Sequence, residues 1–299
     1  MDNPGLVLKN YLTPILMIMM TLSCLKIEIK RLKNIKKDWW RFLFIILNIF
    51  IIPILIIYFT KNIFPKDIFI GLLITAAIPS AISVVFMSDL LKGDPSKALI
   101  TTTLAHLSAP ILTPGLVWLF AHEVIQIDFL SMFILITKLI IIPLILAQII
   151  NRFSLVKKIH NYSGSINTFL LVLLNWGIIA PVKNIIIENQ AQFWKISLVV
   201  TIIISLQIIL AIWFGRNKKE KITWSVSSMY KNLGLAAVIT MSTFGPLATL
   251  GSVIYMIITN LIFAPLQIWA LKENNMLSLG IVGLPNVGKS TLIHALTKK

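Results

Sequence analysis

Lys231 is the residue whose chemistry most needs a partner. It sits in SSMYKNLGLAAV, within otherwise apolar sequence. An ammonium at the centre of a bilayer costs at least about 2.5–3.5 kcal/mol on insertion scales. It must therefore face a cavity or a partner, unless it snorkels to the interface. Two functional roles are open: gripping an anionic substrate, or occupying the place of a bound cation. Ser227, Ser228 and Asn232 flank it, and Asn232 with Gly234 marks an unwound turn. A second polar set lies on ALITTTLAHLSAP, where Thr101 and Ser108 share one helical face and Thr102 and His106 the next. His106 is a candidate titrating or substrate-contacting group, although hydroxyls in such helices also bond back to their own turn. Ser80 and Ser83 follow Pro79, and Asn48 precedes Pro53 by five residues. A buried amide such as Asn48 serves either helix–helix bonding or a solute. The candidate substrate or ion site is thus Asn48, Ser80, Ser83, Thr102, His106, Ser108, Ser227, Ser228, Lys231 and Asn232. Lys138 stands alone in a helix middle, and Asp89 reads as a solvated or capping carboxylate. No catalytic or metal-ligating constellation is found. The lone Cys24 excludes an intramolecular disulfide and a cysteine-based metal site.

Two interrupted stretches must position these groups. Pro79 to Pro110 is too apolar for a surface loop and too broken for an ordinary span; Ser227 to Pro265 repeats the pattern in the other half. Interrupted backbone at membrane depth is tolerated where it lines a cavity or is buried in protein. Paired broken segments in corresponding halves point to a secondary transporter's binding site. Each stretch runs polar break, apolar run, Gly-Pro or Gly-Asp-Pro turn, apolar run, Ala-Pro, although Pro kinks also recur for packing alone.

The totals agree. The chain has 299 residues, 57% of them hydrophobic, and a mean hydropathy of +0.89. Soluble domains hold roughly 45–50% apolar residues. The expected class is an all-α polytopic membrane protein. Nine spans are expected, at about 6–25, 42–60, 67–89, 97–121, 129–151, 164–182, 193–214, 222–242 and 248–271. The +16 formal charge sits in short runs between spans, so topology explains it and nucleic acid is not an expected partner. Basic runs occupy every second loop: Lys26 to Arg41, Arg152 to Lys158, and Arg216 to Lys221. Basic loops stay cytoplasmic. The N-terminus is expected outside and the C-terminus inside a bacterial plasma membrane. No cleavable signal peptide is evident. Two inverted repeats of five would need ten spans, so the first helix of the first repeat is expected to be missing.

At PSAISVVFMSDLLKGDPSKALITTTLAHLSAPILTP the chain resembles the bile acid:sodium symporter superfamily. The Lys92-Gly93-Asp94 turn and the Ala109-Pro110 to Thr113-Pro114 segment carry the likeness. A second match is SMYKNLGLAAV, through Asn232, Gly234, Leu235 and Ala236. The resemblance covers about residues 5–273. It implies inverted repeats, two broken crossing helices and alternating access by panel and core domains. Where sodium-coupled members carry a Glu bridging two sodium ions, this chain has Ser227; where they carry a Gln, it has Lys231. Their Asn in the first broken helix falls on Val85, and the amide of the preceding helix is represented by Asn48. Sodium, like other hard cations, wants oxygen ligands. The expected function is secondary active transport of a small organic anion, with sodium coupling disfavoured and exchange or proton linkage in its place. No cofactor is expected, and no oligomeric state is assigned.

From Met276 the character changes. LSLGIVG reads as a strand, GLPNVGKS fits the phosphate-loop pattern through Gly283, Gly288, Lys289 and Ser290, and a helix follows. These residues resemble the start of an Obg-like P-loop NTPase. No metal-binding Asp or base-recognition motif follows, so residues 274–299 are expected to be a truncated NTPase N-terminus joined by read-through or fusion to a 1–273 transporter domain. The alternative function is a membrane protein fused to a P-loop GTPase or ATPase domain. A non-transporting membrane sensor fits the motifs less well.

Overall fold

The computed structural model describes residues 4–25, 38–122, 128–153 and 156–272. A short helix α1 (Pro4–Leu8) passes through a 3-10 turn into α2 (Leu12–Cys24). Then come α3 (Trp39–Phe59), α4 (Lys66–Ala77), α5 (Val84–Leu90), α6 (Pro95–Ala121), α7 (Phe129–Ile150), α8 (Val156–Glu188), α9 (Gln190–Phe214), α10 (Lys218–Met229), α11 (Leu233–Thr243) and α12 (Pro246–Leu271). Seven of the spans are helices long and apolar enough to cross a bilayer. The other two, expected at 67–89 and 222–242, are each split into half-helices: α4 with α5, and α10 with α11. The chain is an all-α polytopic membrane protein. Its outer surface bears large apolar side chains, among them Phe59 at 80% exposure and Trp213 at 77%. Around the half-helices the packing is dense. Every residue of α4 from Ile68 to Ala77 is buried, as is α10 from Ile222 to Met229.

Local chemistry sets the breaks. Ile78 is extended before Pro79, as a residue preceding proline tends to be. The α4 helix therefore stops at Ala77. On the other side Asn232 ends the second break by capping α11, its side-chain oxygen accepting from Leu235 N–H at 3.2 Å. Asp94 caps α6 in the same way, accepting from Lys97 N–H at 3.1 Å.

Long helices of one half hold half-helices of the other. Helix α4 packs on α12, and α10 packs on α6. The α4–α12 approach is close because glycines allow it: a Cβ at Gly71 would run into the Ala248 backbone carbonyl, and one at Gly251 would lie 2.9 Å from Leu72 Cδ2. Backbone cannot move aside as a side-chain tip can. Gly71→Val is therefore expected to cost at least the upper end of the about 1–3 kcal/mol typical of overpacking. The check is the thermal midpoint of the detergent-solubilised protein; a midpoint matching the parent would show that the helices can part freely.

Candidate functional site: the crossing of two broken helices

The two breaks meet. Ser80 and Lys231 form an antiparallel backbone bridge. Ala81 N–H donates to the Tyr230 carbonyl at 2.9 Å, and Asn232 N–H donates to the Pro79 carbonyl at 2.9 Å. Segments that left their helices thus recover two of the backbone bonds they lost, in each other.

Three further carbonyls are satisfied by one side chain. Pro53 has no N–H, so the Ile49 carbonyl, one turn earlier in α3, loses its helical donor. The Ala76 and Ile78 carbonyls lie at the end of α4, where no following turn supplies donors. Lys231 Nζ donates to all three, at 2.7 Å to Ile49, 2.7 Å to Ala76 and 3.1 Å to Ile78. An ammonium has three hydrogens, and all are used. The neighbouring Ala77 carbonyl accepts from Thr113 Oγ1 at 2.7 Å. Lys231 is 2% exposed; it does not snorkel. Its charge also complements the negative end of the α4 dipole.

Asn48 and Ser228 come together beside this centre. Asn48 Nδ2 donates to Ser228 Oγ and to the Gln207 carbonyl, both at 3.0 Å, while Gln207 Nε2 donates back to the Asn48 carbonyl at 2.8 Å. Gln207 and Thr113 were not among the expected site residues, although Thr113 belongs to the segment that carries the family likeness. Gln207 is an amide within apolar α9, the same signal that singled out Asn48. Nothing in the sequence says that Thr113 reaches Ala77 rather than its own helix.

The α6 set is buried but separate. His106 Nδ1 lies 2.8 Å from the Thr102 carbonyl of its own helix. Donation there leaves Nε2 as an acceptor, and Nε2 has no protein partner among the described residues; nor do the buried hydroxyls of Ser80, Thr101, Thr102 and Ser227. No hydrogen bond joins the His106 or Thr102 side chain to Lys231. Ser83 is exposed, and Ser108 donates to the Ala105 carbonyl at 3.1 Å. Asn232 spends its oxygen on the α11 cap and its amide on Met20 Sδ at 3.2 Å. Lys138 and Asp89 are exposed. Gly283, Gly288, Lys289 and Ser290 lie outside the described residues.

A second buried charge cluster ties the end of the bundle where α10 begins. Glu220, 2% exposed, pairs with Lys97 of α6 and with Arg41 of α3 at 3.2 Å, and accepts from Arg216 N–H at 2.9 Å. The Arg41 guanidinium also lies 4.8 Å from the Trp224 ring centroid. Glu220 was not singled out in the sequence, where it lies inside the basic run Arg216 to Lys221.

Crossed discontinuous helices around a buried polar centre are the arrangement in which many membrane transporters hold their binding sites. Residues 13–189, more than half of the chain, match the sodium bile acid symporter family, and the chain belongs to that family. It is 24% identical, over 267 residues, to a Bacillus subtilis (strain 168) protein named uncharacterized sodium-dependent transporter YocS, a match covering 85% of this chain and 81% of that protein. Residues 278–299 match a 50S ribosome-binding GTPase family.

Proposed function

We propose that this chain carries a small organic anion by alternating access and does so without sodium, Lys231 standing where a coupling cation would bind. The observation that carries this is the oxygen cage itself. Three carbonyl oxygens at 2.7–3.1 Å surround one positive charge. A hard monovalent cation wants such a cage. Here the charge is covalently attached, cannot leave, and so cannot couple its own gradient to a solute. The same geometry favours the cation stand-in over the anion grip, because no Nζ hydrogen is left for a substrate. A net positive crossing still suits an anion, whose polar contacts would fall to His106 Nε2 and the hydroxyls of Ser80, Thr102 and Ser227, which have no protein partner among the described residues. Arg41, Lys97, Arg216 and Lys218 cluster at the α10 end of the bundle, which supports placing that end in the cytoplasm.

Uptake by proteoliposomes holding this protein is expected to be the same with external sodium or with choline, and to be driven by preloaded counter-substrate. Carboxylates, sulfonates and sterol acids are the compounds to screen. A steep rise with sodium would refute the stand-in role while leaving transport intact.

A second reading rests on the GTPase match at residues 278–299. Under it, nucleotide binds at Lys289 and Ser290. Micromolar binding of a guanine nucleotide by calorimetry would favour it; heat no different from buffer would dismiss it.

A further inference from the structure

His106, near the middle of α6, has one committed ring nitrogen and one bare one. The residue is 3% exposed. A carbonyl can only accept, so the 2.8 Å contact with the Thr102 carbonyl fixes the proton of the neutral ring on Nδ1. Nε2 then presents a lone pair, and it has no partner among the described residues. A buried acceptor left bare is costly, so something must fill its place. Thr113 shows which way it looks. It lies seven residues further on, on the same face of α6, and its hydroxyl reaches the Ala77 carbonyl at the open end of α4. On either side of Ala77 are the Ala76 and Ile78 carbonyls that Lys231 takes.

No other ionisable group claims the ring. Helices α3, α4, α5, α7 and α10 pack on α6. Arg41 of α3 pairs with Glu220 of α10, which also takes Lys97 of α6 itself. Lys218, Lys219 and Lys221 open α10, and Tyr58 lies at the far end of α3. Lys66 and Asp67 open α4, Asp89 of α5 and Lys138 of α7 are exposed, and Asp94 is spent on the α6 cap.

An anion brought to this nitrogen cannot bond to it as the ring stands. A carboxylate or sulfonate oxygen offers lone pairs, as Nε2 does, so the contact needs a proton between them. We propose that His106 is a proton-binding site and that each organic anion crosses with one proton held on Nε2. The proton comes from water outside and makes the ring an imidazolium with a donor on each nitrogen. It returns to water on the cytoplasmic side when the anion leaves. With Lys231 already charged at the crossing, an empty site disfavours a second cation, and an anion lifts that penalty. Proton and anion thus raise each other's affinity by the same factor. Lys231 is tethered and cannot supply a gradient; the proton can. The step presupposes the anion carriage proposed above.

The test uses the full chain in proteoliposomes with a pH-sensitive dye sealed inside and the membrane potential clamped. Taurocholate or p-toluenesulfonate is added outside; these sulfonates stay ionised, so neither brings a proton of its own. Entry should acidify the lumen by one proton per anion. Its initial rate should rise as external pH falls from about 8 to about 6, where histidine titrates, by up to about tenfold per unit. His106→Gln keeps a polar side chain that cannot titrate. Whatever its rate, it should carry anion without acidifying the lumen and show a flat pH profile. Should that variant not fold, the parent's proton count alone decides. Sulfonate entry without proton movement would overturn the proton site and leave the carrier standing, as would a His106→Gln protein that acidifies the lumen as the parent does. No saturable entry of either sulfonate or of the screened carboxylates would refute the anion carrier, and the proton site with it.

Discussion

Replacing Lys231 by alanine should be the most damaging single substitution at the crossing, and sodium should partly repair it. The substitution removes the side-chain donor that the Ile49, Ala76 and Ile78 carbonyls share. Each deprived buried carbonyl costs about 1–3 kcal/mol, and the three are not additive, so the expected loss is about 3–5 kcal/mol. Thermal unfolding in detergent measures it. What remains is an oxygen cage without its cation. Added sodium should then raise the midpoint of Lys231→Ala while leaving the parent unmoved, with choline as the ionic-strength control. Lys231→Met, which fills the volume but offers no donor, should lose a similar amount and be less open to rescue. A variant indifferent to sodium would remove the basis for calling the ammonium a stand-in.

The second large effect is expected at Glu220, far from the crossing. Glu220→Gln keeps the shape but strips the counter-charge from Arg41 and Lys97, which are 12% and 25% exposed. Breaking a buried pair costs about 3–5 kcal/mol, and the partial exposure of Lys97 puts this case near about 3 kcal/mol. Burial pushes the Glu220 carboxyl up, but the Lys97 bond, the Arg216 N–H and the Arg41 charge outweigh it and hold the group below its ordinary 4.5. A carboxylate lowered by folding stabilises fully above its unfolded value and loses that contribution as pH falls through the folded one. The parent should therefore lose stability as the pH drops below about 4.5. The Glu220→Gln protein should be weaker at neutral pH and show a shallower acid decline. Parallel pH profiles for the two proteins would contradict the pairing.

Much of the architecture was readable from residue types alone. Apolar runs of span length needed no tertiary information, because burial in lipid is decided by local composition. The breaks were readable too, because Pro79 biases Ile78 out of the helical region and Asn232 is a helix-capping residue type. The family likeness came from Lys92 to Asp94, Ala109 to Pro114 and the Asn232 to Ala236 segment, and the match over residues 13–189 contains the first two of these. The ends of elements were less legible: α8 begins at Val156, earlier than the apolar run starting at 164, because helix length is not limited to the apolar run that marks a span.

The sequence by itself determined that Lys231 had to find a partner, because an ammonium in hydrocarbon is too costly to leave bare. It could not determine which. Ile49, Ala76 and Ile78 present backbone oxygens that every residue type shares, so no side-chain pattern announces them. Only the fold, by bringing a proline-deprived turn of α3 and the open end of α4 around one side chain, decided that the charge meets carbonyls. The same reason hid Glu220: its partners Arg41 and Lys97 are 179 and 123 residues away, and a charge pair across such a distance exists only once the helices have packed.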